Sequence, residues 1–371
     1  MSTSLPPILG LGHAQDIITT MEQALCSQSD VRAAGEATLQ QCMKIPGFAQ
    51  LCLQVLNEAQ FPLQPPVRLM AALSLKNAVS ASWVGRGSRQ YVISAEEKDE
   101  IRRGLLRHME ESNTAIATQL AVTVARIARS DFPKEWPDLF SLLRDNIQQG
   151  SHVQQTRALR VLKSVVKELA SRRLMAHRVI FNEMSVAVTP FLAAVWKAQV
   201  TELSSGNLDV VDNVLSTTKV LHHLVVHGFK VLMPLDVIPF IFSNYFETFR
   251  ALTSYIHSLP PDAPGIESLQ KIRVSCAGLV VAVQKAHPIE FRAYLGYFLQ
   301  LFYAELTHPT PSPDKLVVHL LSYFTNVVGC LLYQQSPSAH STSRTVITTT
   351  GDVELNDAMV DECKAQIGAF A

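Results

Sequence analysis

The sequence predicts an all-α protein of the HEAT type, a solenoid in which pairs of antiparallel helices stack into an α-α superhelix. Apolar residues recur at helical spacing along most of the chain. Helix starts recur in pairs roughly 35–60 residues apart, which brackets the about 40–47 residues of a HEAT repeat. The length of 371 residues points the same way, because one hydrophobic core rarely exceeds roughly 250–300 residues and stacked repeats have no such limit.

Eight helices are predicted in the first half of the chain, and residues that stop or start a helix lie between them. Pro46 and Gly47 separate the second helix from the third, and Pro65 opens the fourth. Ser94 is followed three residues later by Glu97, which predicts a capping box at the start of the fifth helix. The eight predicted helices are 13–26, 30–43, 47–58, 65–82, 94–109, 113–130, 136–148 and 151–171.

The second half continues the pattern with wider gaps. Gly, Pro, Ser or Asp stands at most of the gaps, and the widest contains three prolines and a glycine between Pro260 and Gly265. The further predicted helices are 173–200, 209–228, 235–257, 265–286, 288–306 and 313–335.

The last part of the chain differs in composition from the repeats. Residues 336–352 are rich in Ser and Thr and are expected to form a flexible linker. Residues 353–371 carry a thin apolar stripe and are expected to form one short terminal helix. The expected organisation is therefore two blocks of repeats, 1–150 and 151–335, followed by the linker and the helix.

Composition excludes several classes of function. Lys plus Arg equals Asp plus Glu at 32 each, and few aromatics accompany the basic residues, so no nucleic-acid partner is expected. The apolar stretches are shorter than about 18 residues or are broken by Ser, Thr and Asn, so no membrane insertion is expected. The six cysteines form no CxxC pair, which suits a reducing compartment.

Two segments carry most of the information about family. They are Val67–Trp83, VRLMAALSLKNAVSASW, and Asn113–Leu143, NTAIATQLAVTVARIARSDFPKEWPDLFSLL. Together with the Pro-Gly-Phe turn at Pro46 they resemble the N-terminal repeats of the importin-β family of nuclear transport receptors. The segments LASRRLMAHR at 169–178 and KVLHHLVVHGF at 219–229 resemble one member of that family in particular. Family members are usually longer, so we expect a truncated form.

The resemblance implies a function and a set of partners. It implies that residues 1–150 bind the small GTPase Ran in its GTP state, and that the protein carries protein cargo past the Phe-Gly repeat proteins of the nuclear pore. It also implies shuttling between cytoplasm and nucleus, with transient residence at the nuclear envelope. A HEAT scaffold for a multiprotein complex, with no GTPase dependence, is the alternative, because the fold alone does not set the function.

Six residues are the candidate Ran contacts. Arg68, Lys76 and Asn77 are the polar exceptions on the first motif helix, and the resemblance places that helix at the Ran surface. The others belong to a basic run at i, i+3 and i+4 spacing on one later helix, and they are Arg157, Arg160 and Lys163. For the first group the alternative is a solvated helix edge together with contacts between repeats. For the second group the alternative is an ordinary solvated helix face, and an acidic surface of the cargo is a further candidate partner.

Aromatic and histidine residues have simpler interpretations. Trp83, Trp136 and Trp196 lie near helix ends and are expected to anchor the core, the alternative being an outer-surface slot for Phe-Gly repeats. His223 and His227 have the i, i+4 spacing of two metal ligands, but no HExxH glutamate accompanies them. The sequence contains no recognisable phosphate loop, nucleophile elbow or acid–base pair. We therefore predict no metal site, cofactor or catalytic residue, and we do not expect the protein to be an enzyme.

Overall fold

The computed structural model describes residues 8–57, 59–85, 91–229, 249–260, 262–310 and 312–330, and also residue 365 and the backbone of 344–348 and 351–355. Apart from one short hairpin, the regular structure of these residues is helical, as the sequence predicts. The chain divides into two compact units, Met1–Leu169 and Ala170–Ala371. This division falls later than the expected 150/151 boundary, because the helix that begins at His152 bonds to the helices before it.

The first unit consists of helices that agree with the eight predicted ones to within three residues at every boundary. They are α1 (Ala14–Ala24), α2 (Ser29–Cys42), α3 (Phe48–Val55), α4 (Pro65–Ser82), α5 (Ala95–Arg107), α6 (Thr114–Asp131), α7 (Leu139–Gln149) and α8 (His152–Ala170).

Successive helices of this unit alternate between two layers. Helix α3 packs on α5, and α4 packs on α6. Side chains of α5 and α7 line a common cleft, and α8 hydrogen-bonds to α6. The first helices of the pairs, α3, α5 and α7, therefore form one layer, and the second helices, α4, α6 and α8, form the other, which is the arrangement of HEAT repeats.

Local chemistry at the start of α3 explains one of the predicted boundaries. Gly47 has φ +85°, and a Cβ there would lie 2.0 Å from the carbonyl oxygen of Leu9. Only glycine combines this backbone conformation with such a close approach. The glycine in the Pro-Gly-Phe turn is thus required by geometry.

The capping box at Ser94 forms only in part. The Ser94 hydroxyl accepts a hydrogen bond from the Glu97 amide at 3.2 Å, as predicted. The Glu97 carboxylate, however, accepts from the amides of Gly47 at 3.1 Å and Gln50 at 3.3 Å, and therefore caps α3 instead of its own helix. A carboxylate is favourable there because the first amides of α3 have no partner inside the helix.

The second unit contains α9 (Met175–Ser204), α10 (Val211–Gly228), α11 (Ile266–Ala286), α12 (Pro288–Phe291), α13 (Leu295–Leu306) and α14 (Asp314–Gly329). The single helix predicted over 288–306 is divided by a 3-10 turn, Arg292–Tyr294. Of the predicted helix 235–257, residues 249–257 are helical, and the remainder lies outside the described residues, as do residues 331–335 of the last predicted helix.

Helix α9 is, within the described part of the chain, the one helix long and apolar enough to cross a membrane. It packs along α10, and its Trp196 is 1% exposed. The Trp196 indole donates to the Thr218 hydroxyl at 2.9 Å. These contacts are those of a core helix in a helical array, and the absence of membrane insertion stays a prediction.

A hairpin replaces part of the expected linker and terminal helix. Strands β1 (Arg344–Thr348) and β2 (Gly351–Leu355) pair antiparallel, with Val346 opposite Val353. Val, Ile and Thr favour extended backbone, and this preference outweighs the thin helical stripe at the start of 353–371. The rest of that predicted helix lies outside the described residues, except for residue 365.

Candidate partner-binding surface

The second helices of the first unit carry a set of accessible basic side chains, here named the basic face. One member lies on α4, those on α6 and α8 lie at i, i+3 or i+4 spacing, and none of the six is buried. Glu168 is the only acidic side chain exposed on these three helices, since Asp131 is buried. The members of the basic face are Lys76, Arg126, Arg129, Arg160, Lys163 and Lys167.

Hydrogen bonds between neighbouring helices hold this face in register. Lys76 Nζ on α4 donates to Gln119 Oε1 on α6 at 3.2 Å. Arg160 on α8 donates to the Thr118 hydroxyl of α6 at 2.8 Å. Near the other end of the same two helices, Arg129 pairs with Glu168 at 3.1 Å. The cations are therefore positioned by contacts between helices that are about 40 residues apart in sequence.

Two of the six candidate contacts lie beneath this face and not on it. Arg68 is 4% exposed and Arg157 is 9% exposed. Arg68 Nη2 pairs with Glu111 Oε2 at 2.6 Å, and Arg157 Nε donates to the carbonyl oxygen of Glu111 at 2.7 Å. Arg157 also donates to the carbonyl of Ser112 at 2.7 Å. Both arginines thus join their helices to the segment between α5 and α6.

The other four candidates remain accessible. Asn77 is exposed, and Lys76, Arg160 and Lys163 are half-buried on the basic face. The sequence interpretation missed Arg126 and Arg129, although their i, i+3 spacing on the polar side of the α6 stripe was a usable signal.

Burial beside the Arg68–Glu111 pair also affects His108. Desolvation lowers the pKa of this histidine, the positive charge of Arg68 lowers it further, and the carboxylate of Glu111 opposes both effects. Arg68 and Glu111 are therefore charged groups held away from water beneath the basic face. Removing either charge would leave the other buried and unpaired, which is strongly destabilising.

A cleft of about 460 Å³ opens on the other layer, between α5 and α7, and is named the α5–α7 slot. Its apolar wall consists of Leu106, Leu142 and the buried Trp136. Arg103, Arg107 and other polar side chains form the rim. The slot therefore combines a small apolar wall with a polar and charged rim.

Trp83 anchors the core, as the sequence predicts. It is 4% exposed, and its indole donates to Asp131 Oδ1 at 2.9 Å. The second oxygen of Asp131 pairs with Arg102. Because Asp131 is occupied in this way, it adds no negative charge to the basic face.

The histidines of α10 pack against each other. The rings of His223 and His227 stack with centroids 6.0 Å apart, and His222 meets His223 edge-on at 5.6 Å. Burial lowers the pKa of His222, and repulsion from His227 and His319 lowers it further. The described residues contain no group of three or more His, Cys, Asp or Glu that could hold a metal ion.

The sequence matches known families over much of its first 221 residues. Residues 35–111 match the family described as Importin-beta N-terminal domain, and residues 113–221 match Exportin 1-like protein. Over 284 residues, 74% of this chain, it is 28% identical to Importin-11 of Mus musculus and of Homo sapiens. Importin-11 is the member that the segments at 169–178 and 219–229 resemble. The alignment covers 29% of Importin-11, so the chain spans less than a third of its length.

Several solved structures are similar in fold over most of this chain. The structure of Lph2, described as a bidirectional nuclear transport receptor of S. cerevisiae, matches with TM-score 0.73 at 21% identity, covering 94% of this chain and 34% of Lph2. Yeast Kap95p, in a structure whose subject is its binding to RanGDP, matches with TM-score 0.55 at 15% identity, covering 96% of this chain and 40% of Kap95p. Kap95 in complex with Nup1 matches with TM-score 0.54 at 14% identity, covering 96% and 41%.

Proposed function

Because the chain belongs to the importin-β family of nuclear transport receptors, we propose that it binds Ran in its GTP state through the basic face. In this proposal, Ran binding regulates the carriage of protein cargo through nuclear pores. The observation that supports it is a solvent-facing set of six cations on α4, α6 and α8 with one exposed carboxylate among them. The binding of RanGDP by Kap95p, a protein of similar fold, supports the choice of partner.

The dependence on GTP follows from the physics of a nucleotide switch. The loops of a GTPase are ordered by the γ-phosphate and its magnesium ion, and they rearrange on hydrolysis. A rigid surface that fits one loop arrangement binds that state more tightly and shifts the population toward it. The hydrogen-bonded register of α4, α6 and α8 supplies such a rigid surface.

Different residues have different roles in this binding. Lys76, Asn77, Arg160 and Lys163 are accessible and would contact Ran directly. Arg68 and Arg157 would act from below, by fixing α4 and α8 to the segment around Glu111. Opposite charges on the two partners would raise the association rate more than the final affinity.

The α5–α7 slot is the place where we expect a Phe-Gly repeat to bind. Leu106, Leu142 and Trp136 offer an apolar wall to a phenyl ring, and the rim can hydrogen-bond the adjacent peptide groups. The complex of Kap95 with Nup1, again a protein of similar fold, supports this assignment. Movement between cytoplasm and nucleus, with transient binding at the pore, follows from the same proposal. The proposed activity is binding and release, without catalysis.

Charge reversal on the basic face tests the proposal. We expect Lys76→Glu combined with Arg160→Glu to weaken binding of Ran loaded with a non-hydrolysable GTP analogue by more than about tenfold, or 1.4 kcal/mol. Lys134→Glu is the matched control, because Lys134 is 91% exposed and lies outside the three second helices. Calorimetric titration of the full chain at fixed salt measures both variants. Unchanged affinity in the double variant would exclude the basic face as the Ran surface.

A further inference from the structure

The start of α9 carries an apolar surface that faces solvent. Leu174, the N-cap residue, is 68% exposed, and Met175, the first residue of the helix, is 67% exposed. Among the described residues, Val328 is the one large apolar side chain that is more exposed than these two. Val179 lies one turn after Met175 and is 37% exposed. Exposed apolar side chains that lie together are typical of interaction sites, whereas scattered ones are not.

Two arginines border this apolar surface. Arg173 directly precedes Leu174, and Arg178 lies three residues after Met175, which makes it a neighbour of Met175 on the helix surface. Both arginines are exposed, and in the described part of the chain neither guanidinium has a hydrogen bond or an ion pair. The five residues Arg173, Leu174, Met175, Arg178 and Val179 are here named the Leu174 patch.

The charge of the Leu174 patch is not balanced by acidic residues. The sequence from 169 to 182 contains no Asp or Glu. Glu168, which precedes it, pairs with Arg129. Glu183, which follows it, lies one turn beyond Val179 and about 140° around the helix axis from Arg178. The patch therefore has two unpaired positive charges, and its nearest free carboxylate lies on the side of the apolar row away from Arg178.

The helix beneath the patch is firmly anchored. Helix α9 is 30 residues long and packs along α10. Phe181 and Met184, one to two turns after the patch begins, are buried. The backbone that carries the patch is thus fixed before a partner binds, which lowers the entropic cost of binding. The flexible side chain of Met175 can still adapt to the shape of an apolar ligand.

We propose that the Leu174 patch binds an acidic peptide segment of a partner protein, in which a large apolar side chain lies between two carboxylates. The apolar side chain would pack on Leu174, Met175 and Val179. The carboxylates would pair with Arg173 and Arg178, since the guanidinium fork matches a carboxylate in two parallel hydrogen bonds. Each arginine supplies one charge, which one carboxylate neutralises. A phosphate carries about −1.5 to −2 at pH 7 and would need more than one cation.

Other occupants match these features less well. Surfaces that bind anionic lipids have clusters of about four to eight Lys or Arg, and this patch has two. Single-stranded nucleic acid needs aromatic rings on which bases stack, and the nearest aromatic residue in sequence, Phe181, is buried. A stable interface with a second copy needs roughly 800 Å² from each partner, which is more than these few side chains provide. The patch is separate from the basic face, so its assignment does not depend on Ran binding.

Fluorescence anisotropy on the full chain at fixed salt tests the proposal with four labelled peptides of equal length. The reference peptide has a central Leu with a Glu two residues to either side, in a background of Gly and Ser. In the other peptides Gln replaces both Glu, Ser replaces the Leu, or phosphoserine replaces both Glu. We expect the reference peptide to bind saturably and at least fivefold more tightly than each of the others.

Two results of this titration would overturn the proposal. If the Gln peptide or the Ser peptide binds as tightly as the reference peptide, or if the reference peptide does not saturate, the patch does not select an acidic and apolar segment. If the phosphoserine peptide binds more tightly, the assignment of carboxylates is wrong.

Variants of the chain locate the binding. Leu174→Ser and Arg178→Glu should each weaken the reference peptide at least fivefold. Val328→Ser and Arg144→Glu are the matched controls, because they replace an exposed apolar side chain and an exposed arginine elsewhere, and they should leave affinity unchanged. Arg160→Glu should also leave it unchanged. A loss in Arg160→Glu would place the peptide on the basic face and refute the assignment.

A charge exchange gives the sharpest test of the two ion pairs. The double variant Arg173→Glu with Arg178→Glu should bind a peptide with Lys in place of both Glu at least fivefold more tightly than the reference peptide. An unchanged preference would contradict the proposal. Sedimentation of the chain alone and with phosphatidylserine vesicles tests the other occupants. Self-association or vesicle binding that Leu174→Ser abolishes would assign the patch to a second copy or to a membrane, and would overturn the proposal. Circular dichroism of each variant verifies folding.

Discussion

Glu111 is the residue on which α4, α8 and the segment between α5 and α6 converge. Its carboxylate accepts from Arg68 at 2.6 Å and from the amide of Asn113 at 2.8 Å, and its carbonyl accepts from Arg157 at 2.7 Å. The side chains of Arg68 and Glu111 are 5% and 1% exposed. Replacing Glu111 with Ala would leave a buried guanidinium without its counter-charge, so we expect the free energy of unfolding to fall by about 3–5 kcal/mol.

Two comparisons separate the buried charge from the loss of packing. The double variant Arg68→Met with Glu111→Leu removes both charges, so it should be less destabilised than Glu111→Ala alone. Glu168→Ala removes the carboxylate of an Arg–Glu pair whose side chains are 47% and 37% exposed, and it should cost only about 0–1 kcal/mol.

Urea titration of the full chain, followed by tryptophan fluorescence, measures the unfolding free energies. Trp83 and Trp136 report on the first unit, and Trp196 reports on the second. A typical domain has only about 5–15 kcal/mol of stability, so the predicted loss is measurable. If Glu111→Ala costs less than about 1 kcal/mol, or if the double variant is less stable than Glu111→Ala, the buried-pair explanation is wrong.

Three further changes should alter stability in predictable directions. Gly47→Ala should destabilise the first unit by more than about 2 kcal/mol in urea titration. The reason is that φ is +85° and the new methyl group would meet a backbone oxygen. A loss of less than about 1 kcal/mol would refute this explanation of the turn. Glu97→Gln should cost about 1–2 kcal/mol by the same assay, because it weakens the cap on α3, and a neutral result would show that water replaces the cap. The pKa of His222 is lower in the folded state, so the unfolded state binds more protons, and stability should decline as pH falls below about 6.5. In thermal melts at pH 7.5 and 5.5, His222→Gln should reduce the loss of stability between the two pH values. An unchanged loss would exclude His222 as its source.

Residues of α4 show where prediction from sequence succeeds and where it stops. The sequence predicts this helix with its observed ends, because Pro65 starts it and the apolar spacing runs through it. Arg68 and Lys76 lie on the same helix, yet Arg68 is buried against Glu111, in the segment before α6, and Lys76 borders solvent. The sequence position of a residue gives the direction in which it leaves the helix axis. It does not tell which neighbouring helix or segment lies in that direction. The assignment of both to one surface therefore failed for Arg68.

Contacts between distant residues account for most of the other differences. Glu97 caps a helix about 50 residues away, and the basic face exists only because three helices stack in one register. The capping contact leaves no local pattern in the sequence, and the spacing of the cations predicts a basic side of each helix but not how the three helices align. The hairpin at 344–355 differs from the expectation for another reason. The Ser/Thr-rich composition of 336–352 predicts a linker and the apolar spacing of 353–371 predicts a helix, whereas Thr, Val and Ile also favour paired extended strands.

The most direct test of the central proposal is binding of the unmodified full chain to Ran in its two nucleotide states. Ran loaded with a non-hydrolysable GTP analogue and Ran loaded with GDP are titrated separately, at the same salt concentration, because the basic face makes affinity sensitive to ionic strength. We predict affinity at least tenfold higher for the GTP state. Equal affinity for the two states, or no binding to either, would contradict the proposed function and favour a HEAT scaffold without GTPase dependence.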